Sequence, residues 1–111
     1  MNLKPDVKTT NVKPEIWYAI GVAATLQRII IGGDTTVTSL NDSTHKTGSR
    51  HYTGRAADLR TKGLTPGLKS AWLFAMREHL EPFGFDVLDE TSHFHVQYKP
   101  TTTRYLYVHT N

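Results

Sequence analysis

Three imidazoles and two carboxylates fall in two short stretches of this chain. His51 precedes Asp58 by seven residues, and His93 and His95 stand two apart, with Glu90 three residues before the first of them. Imidazole nitrogen and carboxylate oxygen are donors that a divalent ion such as Zn2+ accepts, and with no Cys in the chain any metal must rely on them. Two neutral imidazoles and one carboxylate around a tetrahedral ion leave a fourth position for water. That composition belongs to an open, catalytic site rather than a closed, structural one. Such an ion lowers the pKa of its water to roughly 7 and polarises a carbonyl, while a free carboxylate takes and returns the proton. The pattern therefore points to amide hydrolysis with one Zn2+ per chain, zinc being preferred over other divalent ions by ligand type.

These residues need rigid elements to bring them together. Between His51 and Asp58, Gly54, Ala56 and Ala57 remove side-chain bulk where the backbone must turn and approach closely. Strand character begins at Ala56, so Asp58 and Leu59 face opposite ways. From His93 to Tyr98, period-two alternation sets Phe94, Val96 and Tyr98 on one face and His93, His95 and Gln97 on the other. A shorter extended run, Phe85 to Leu88, precedes it. Thr65-Pro66 opens a helix with a hydroxyl cap and a first-turn proline, and Leu68, Ala71, Trp72, Ala75 and Met76 follow at the spacing of a buried face. Pro82 and Gly84 end it. An earlier helix is expected from Pro14 to about Arg28, with Ile16, Ala19, Ile20, Ala23 and Leu26 on its apolar face, before a break at Gly32-Gly33 and a short strand over Thr35 to Leu40. Met1 to Lys13 reads as an arm, Asn41 to Arg50 as a loop, and Thr101 to Asn111 as an edge strand or a docked tail.

The composition bounds the reading further. With 111 residues and 38% apolar side chains, residues 1–111 form one domain with one modest core, and a second domain is excluded. No apolar run is long enough to span a membrane, and Met1 to Lys8 lacks the pattern of a signal peptide, so a soluble protein without encoded export is expected. The net charge of +3 is spread over scattered Lys and Arg, without the basic stripe and interleaved stacking aromatics of a nucleic-acid binder. Neither nucleic acid nor membrane is expected as a partner, and the chain is expected to be a monomer.

Ser49-Arg50-His51-Tyr52-Thr53-Gly54-Arg55-Ala56-Ala57-Asp58 resembles the S-x-H-x-x-G-x-A-x-D signature of the zinc D-Ala-D-Ala carboxypeptidase family, which includes the L-alanyl-D-glutamate endolysins of bacteriophages and shares its fold with the Hedgehog signalling domain. Glu90 to Gln97 resembles the family's later acid-x-x-His motif, in the family's order and with a helix between. The resemblance covers Val37 to Pro100. It implies a small α+β domain in which an antiparallel sheet is flanked by two main helices, with His51 and Asp58 as metal ligands. Two placings of the third ligand follow from it: spacing from Glu90 selects His93, and comparison with members that end in His-Val-acid selects His95. We prefer His95, with Glu90 and His93 as the pair that handles the proton or supports the ligands from outside. His45, in the loop that enters the site, and Ser49 are expected to contact substrate. Thr35 to Leu40 lacks the Arg that many members use to stabilise the oxyanion, a role that leaves His45, Lys46 or Arg50 as substitutes.

The resemblance also implies the substrate and setting: a peptidoglycan stem peptide, cut by a bacteriophage endolysin or a virion-associated wall enzyme that resides in the host cytoplasm before release or on the virion. A competing expectation keeps the fold and discards turnover, making the chain a zinc-stabilised module that binds wall peptides. His79 and His109 are read as ordinary surface histidines, and Trp72, Met76, Tyr98, Tyr105 and Tyr107 as packing residues.

Overall fold

The computed structural model describes residues 1–40 and 54–99. Its elements run β1 (Asn2–Leu3), α1 (Pro14–Ile30), β2 (Thr36–Ser39), β3 (Ala56–Arg60), α2 (Pro66–Leu80), a 3-10 turn over Glu81–Phe83, β4 (Phe85–Asp89) and β5 (His93–Tyr98). Five strands form one sheet in the order β1-β2-β3-β5-β4, and the class is α+β with a small sheet and two helices.

The sheet is mixed rather than antiparallel throughout. β1 pairs with β2 in parallel, Asn2 opposite Thr36 and Leu3 opposite Val37, while the other three pairings are antiparallel. A parallel neighbour requires a long crossover, and α1 provides it. The expected arm is therefore anchored: its first residues extend the sheet edge, and Val7 and Val12 pack against the core.

Each helix begins where its sequence leads the backbone. Pro14 opens α1 without a side-chain cap, and the Thr65 hydroxyl caps α2 by accepting from the Leu68 amide at 3.3 Å. The buried stripe of α1 is Ile16, Ala19, Ile20, Ala23 and Gln27. In α2 it is Trp72, Met76 and Leu80, a strict i, i+4, i+8 row, so Leu68 and Ala71, expected in the core, are exposed. Gly84, at φ 95°, takes the left-handed turn that ends the 3-10 segment and starts β4.

Both helices meet the apolar face of the sheet, where Val37, Ala57, Leu59, Val87, Phe94 and Val96 are buried with them in one cluster. Trp72 stacks on Phe94 with ring centroids 5.0 Å apart, and its indole N–H donates to the Ala23 carbonyl at 3.0 Å, joining the two helices through the core. The Arg77 guanidinium spans from α2 to the Val87 carbonyl, at 2.8 and 3.0 Å from its two donors. Among the described residues, no helix is long and apolar enough to cross a membrane.

Gly54 shows why the stretch before β3 needs small residues. Its φ is +72°, and a Cβ built there would lie 1.9 Å from the Asn11 carbonyl oxygen. Its own carbonyl accepts from the Lys13 amide at 2.8 Å, so the start of α1 and the start of β3 are held together at this point.

Candidate metal centre

The opposite face of β3 and β5 carries the polar cluster. Asp58 and His95 are direct cross-strand partners, and His93 lies two residues along β5 opposite Arg60. Because β-strand side chains alternate, the same register that buries Leu59 against Phe94 brings Asp58 beside His95. β2 contributes an irregularity: Val37 pairs with Leu59 but Ser39 pairs with Asp58, so Thr38 is bulged out of register beside the cluster. Bulges re-aim side chains in this way near sites. The Thr38 hydroxyl donates to the Asp58 carbonyl at 3.3 Å.

Glu90 reaches the cluster from the turn between β4 and β5. Thr91 has φ 68°, a costly value for a β-branched residue, and several hydrogen bonds hold the turn in this form. The Glu90 amide donates to the His93 carbonyl at 2.9 Å, and the Thr91 amide donates to Asp89 Oδ1 at 3.1 Å. The Thr91 carbonyl accepts from Lys69 Nζ at 3.0 Å and from the Thr61 hydroxyl at 3.3 Å, and the Thr61 amide donates to the Ser92 carbonyl at 3.1 Å. Lys69 also pairs with Asp89 at 3.0 Å, and its hydrogen bond is the main reason the Asp89 carboxyl lies below its ordinary pKa.

Four titratable side chains converge as a result. His95 Nδ1 is 2.9 Å from Asp58 Oδ1 and 3.8 Å from Glu90 Oε1, and His93 Nε2 is 3.6 Å from Asp58 Oδ2 and 3.4 Å from Glu90 Oε1. Donors bound to one tetrahedral zinc would be separated by roughly 3.3 Å, since each bond is about 2.0–2.1 Å long. The observed separations bracket that value. Donor atoms of Asp58, Glu90 and His93 all lie within 4.8 Å of one another, a group that could hold a metal ion. Side-chain exposure grades across the cluster, from 10% at Asp58 and 12% at His95 to 28% at His93 and 48% at Glu90. The deep end is thus suited to holding a cation and the shallow end to meeting a substrate.

His95 is the most constrained of the four. Gln97 Nε2 donates to Asp86 Oδ2 at 3.3 Å, which turns the amide oxygen toward His95, where Oε1 lies 3.0 Å from Nε2. A carboxylate accepts and an amide oxygen accepts, so His95 Nε2 must carry a proton. That leaves Nδ1 facing Asp58. Either Nδ1 holds a second proton and donates it to Asp58, or it gives its lone pair to a cation that Asp58 shares. Burial pulls the pKa of His95 down, but the hydrogen bond and charge of Asp58, with help from Gln97 and Glu90, outweigh it and the net shift is upward.

The structure thus unites Asp58, Glu90, His93 and His95. His45, Ser49, His51 and His109 lie outside the described residues. His79 is exposed on α2, its Nδ1 donating to the Ala75 carbonyl at 2.8 Å, away from the cluster. Sequence reasoning overlooked Asp86 as the orienting group for Gln97, and Thr61 and Lys69 as the clamps on the Glu90 turn. The alternation of Phe85 and Val87 with Asp86 was the available signal, and it could have placed Asp86 on the polar face. A groove of about 630 Å3 lined by Tyr18, Val22, Thr25, Leu26, Ile29 and His79 is mostly apolar, and its Thr25 hydroxyl and His79 ring are bonded to carbonyls of their own helices, so it is a poorer candidate for chemistry. No family model matches the chain, and no curated protein matches it at a significant level.

Proposed function

We propose that this chain is a zinc-dependent peptidase that hydrolyses amide bonds next to a D-configured residue in peptidoglycan stem peptides, as a phage endolysin or virion-associated wall enzyme. One observation carries the reading: a nearly buried carboxylate, Asp58, lies within reach of two imidazoles of β5, with the exposed Glu90 carboxylate poised over them. A buried carboxylate needs a compensating cation, and imidazole donors beside it favour a metal that takes nitrogen and oxygen together.

In this reading Asp58, His95 through Nδ1, and His51 by its place in the motif hold the ion. A zinc ion so held supplies Lewis-acid polarisation of the scissile carbonyl and makes water nucleophilic near neutral pH. Glu90, the most exposed of the four, accepts the proton of the attacking water and returns it to the leaving amine. His93, 3.4 Å from Glu90 and 3.6 Å from Asp58, steadies the Glu90 carboxylate as it takes and returns the proton. By the sequence reading, His45 and Ser49 are the residues expected to contact the peptide.

The test is to purify the chain, measure its zinc content and incubate it with peptidoglycan, following new amino termini by mass spectrometry. Near-stoichiometric zinc and chelator-sensitive cleavage are expected. Intact wall in the presence of a fully zinc-loaded chain would refute the peptidase and leave a wall-peptide-binding module. A chain that takes up no zinc would refute the metal site itself.

A further inference from the structure

The pair Asp86 and Gln97 has no part in the chemistry above, yet it sits in a directional chain that ends on the imidazole. Asp86 and Gln97 are cross-strand partners on β4 and β5, and His95 is two residues from Gln97 on the same face. The contacts run Asp86 Oδ2 from Gln97 Nε2 at 3.3 Å, then Gln97 Oε1 from His95 Nε2 at 3.0 Å, then His95 Nδ1 to Asp58 Oδ1 at 2.9 Å. A carboxylate has only acceptors, so it settles which end of the Gln97 amide faces it. The amide oxygen in turn requires a proton on Nε2, so a metal that binds this ring must do so through Nδ1. Were the amide reversed, Gln97 would donate to Nε2, the proton would move to Nδ1, and the nitrogen beside Asp58 would have no lone pair for a metal. An outer hydrogen bond of this kind fixes ring orientation and tautomer in metal-binding histidines generally.

We propose that Gln97, oriented by Asp86, is a positioning residue that keeps the His95 proton on Nε2 and so reserves Nδ1 for the metal. The proposal rests on the metal reading of the site, and its test separates the two. In the zinc-loaded protein, long-range nitrogen–proton NMR should find His95 protonated on Nε2, with that proton protected from solvent exchange. Zinc affinity, measured by competition with a chromophoric chelator, should fall about 10–100-fold in Gln97→Met, with faster exchange of the Nε2 proton. Asp86→Ala, on the edge strand, should move both readouts the same way by less, and it serves if Gln97→Met does not fold. The double substitution D86N/Q97E again sets an acceptor against Nε2 and should recover most of the zinc affinity. Zinc-loaded wild-type His95 protonated on Nδ1 would overturn the proposal. So would wild-type zinc affinity and Nε2 proton exchange in both single variants, though the metal site would then survive. Wild-type protein that binds no zinc would overturn the metal reading and with it the role given to Nδ1.

Discussion

The two faces of β3 and β5 alternate along the same two strands, of 5 and 6 residues, and do opposite work. On one face Ala57, Leu59, Phe94 and Val96 are sealed under the helices; on the other Asp58, His93 and His95 crowd together beneath Glu90. The apolar face is held by area and shape, spread over many contacts, whereas the polar face concentrates charge at low exposure and needs a proton or a cation to balance it. The difference teaches that stability and chemistry are separable here along single strands. Substitutions one residue apart should report on different properties.

The sharpest break comes from Phe94→Ala. Phe94 is fully buried against Trp72, so the change should cost about 3–5 kcal/mol, read as a large drop in the thermal or denaturant midpoint. Glu90→Ala, on the polar side and nearly half exposed, should leave that midpoint within about 0.5 kcal/mol and zinc content unchanged, while lowering the rate of peptide hydrolysis about 10²–10⁴-fold. If Glu90→Ala unfolds the protein, the separation of the faces fails. Gly54→Ala probes the junction that sets both faces, because its Cβ would collide with the Asn11 carbonyl at positive φ; a loss of about 1–3 kcal/mol is expected from the strained backbone alone, visible as a lower midpoint.

A subtler effect is a change of sign with pH. The folded-state pKa of His95 is raised, so in the metal-free protein the His95–Asp58 pair stabilises the fold fully below the ordinary histidine pKa of about 6.5 and is lost as pH rises through the higher folded value. In the proposed site zinc would displace the Nδ1 proton, so its binding should strengthen over the same rise. Midpoints measured across this window should therefore fall with pH for chelator-treated protein relative to the zinc-loaded protein, and the gap between them should widen. Parallel curves would show that proton and metal do not compete for one nitrogen.

The contrast between faces also explains what the sequence made legible. Alternation in His93 to Tyr98 is strict, and the structure places Phe94 and Val96 in the core and His93, His95 and Gln97 on the polar face as that pattern requires. Caps and breakers likewise marked α2 at Thr65-Pro66 and its end at Pro82-Gly84. The parallel β1 was not visible, because two residues with no alternation carry no strand signal and pair only through the backbone of β2. Leu68 and Ala71 misled because a helical period fixes spacing but not which of several apolar rows meets the sheet. Asp58, Glu90, His93 and His95 were found by residue type and spacing, whereas Asp86 acts through register across β4 and β5, which local spacing does not contain.

The central claim is that Asp58 and His95 share a metal ion. An anomalous-scattering map at the zinc edge, from crystals of the zinc-loaded protein, tests it most directly. One peak per chain is expected within bonding distance, about 2.0–2.2 Å, of an Asp58 oxygen and of His95 Nδ1. A peak bonded to His93 in place of His95, or none while His95 still donates directly to Asp58, would contradict it.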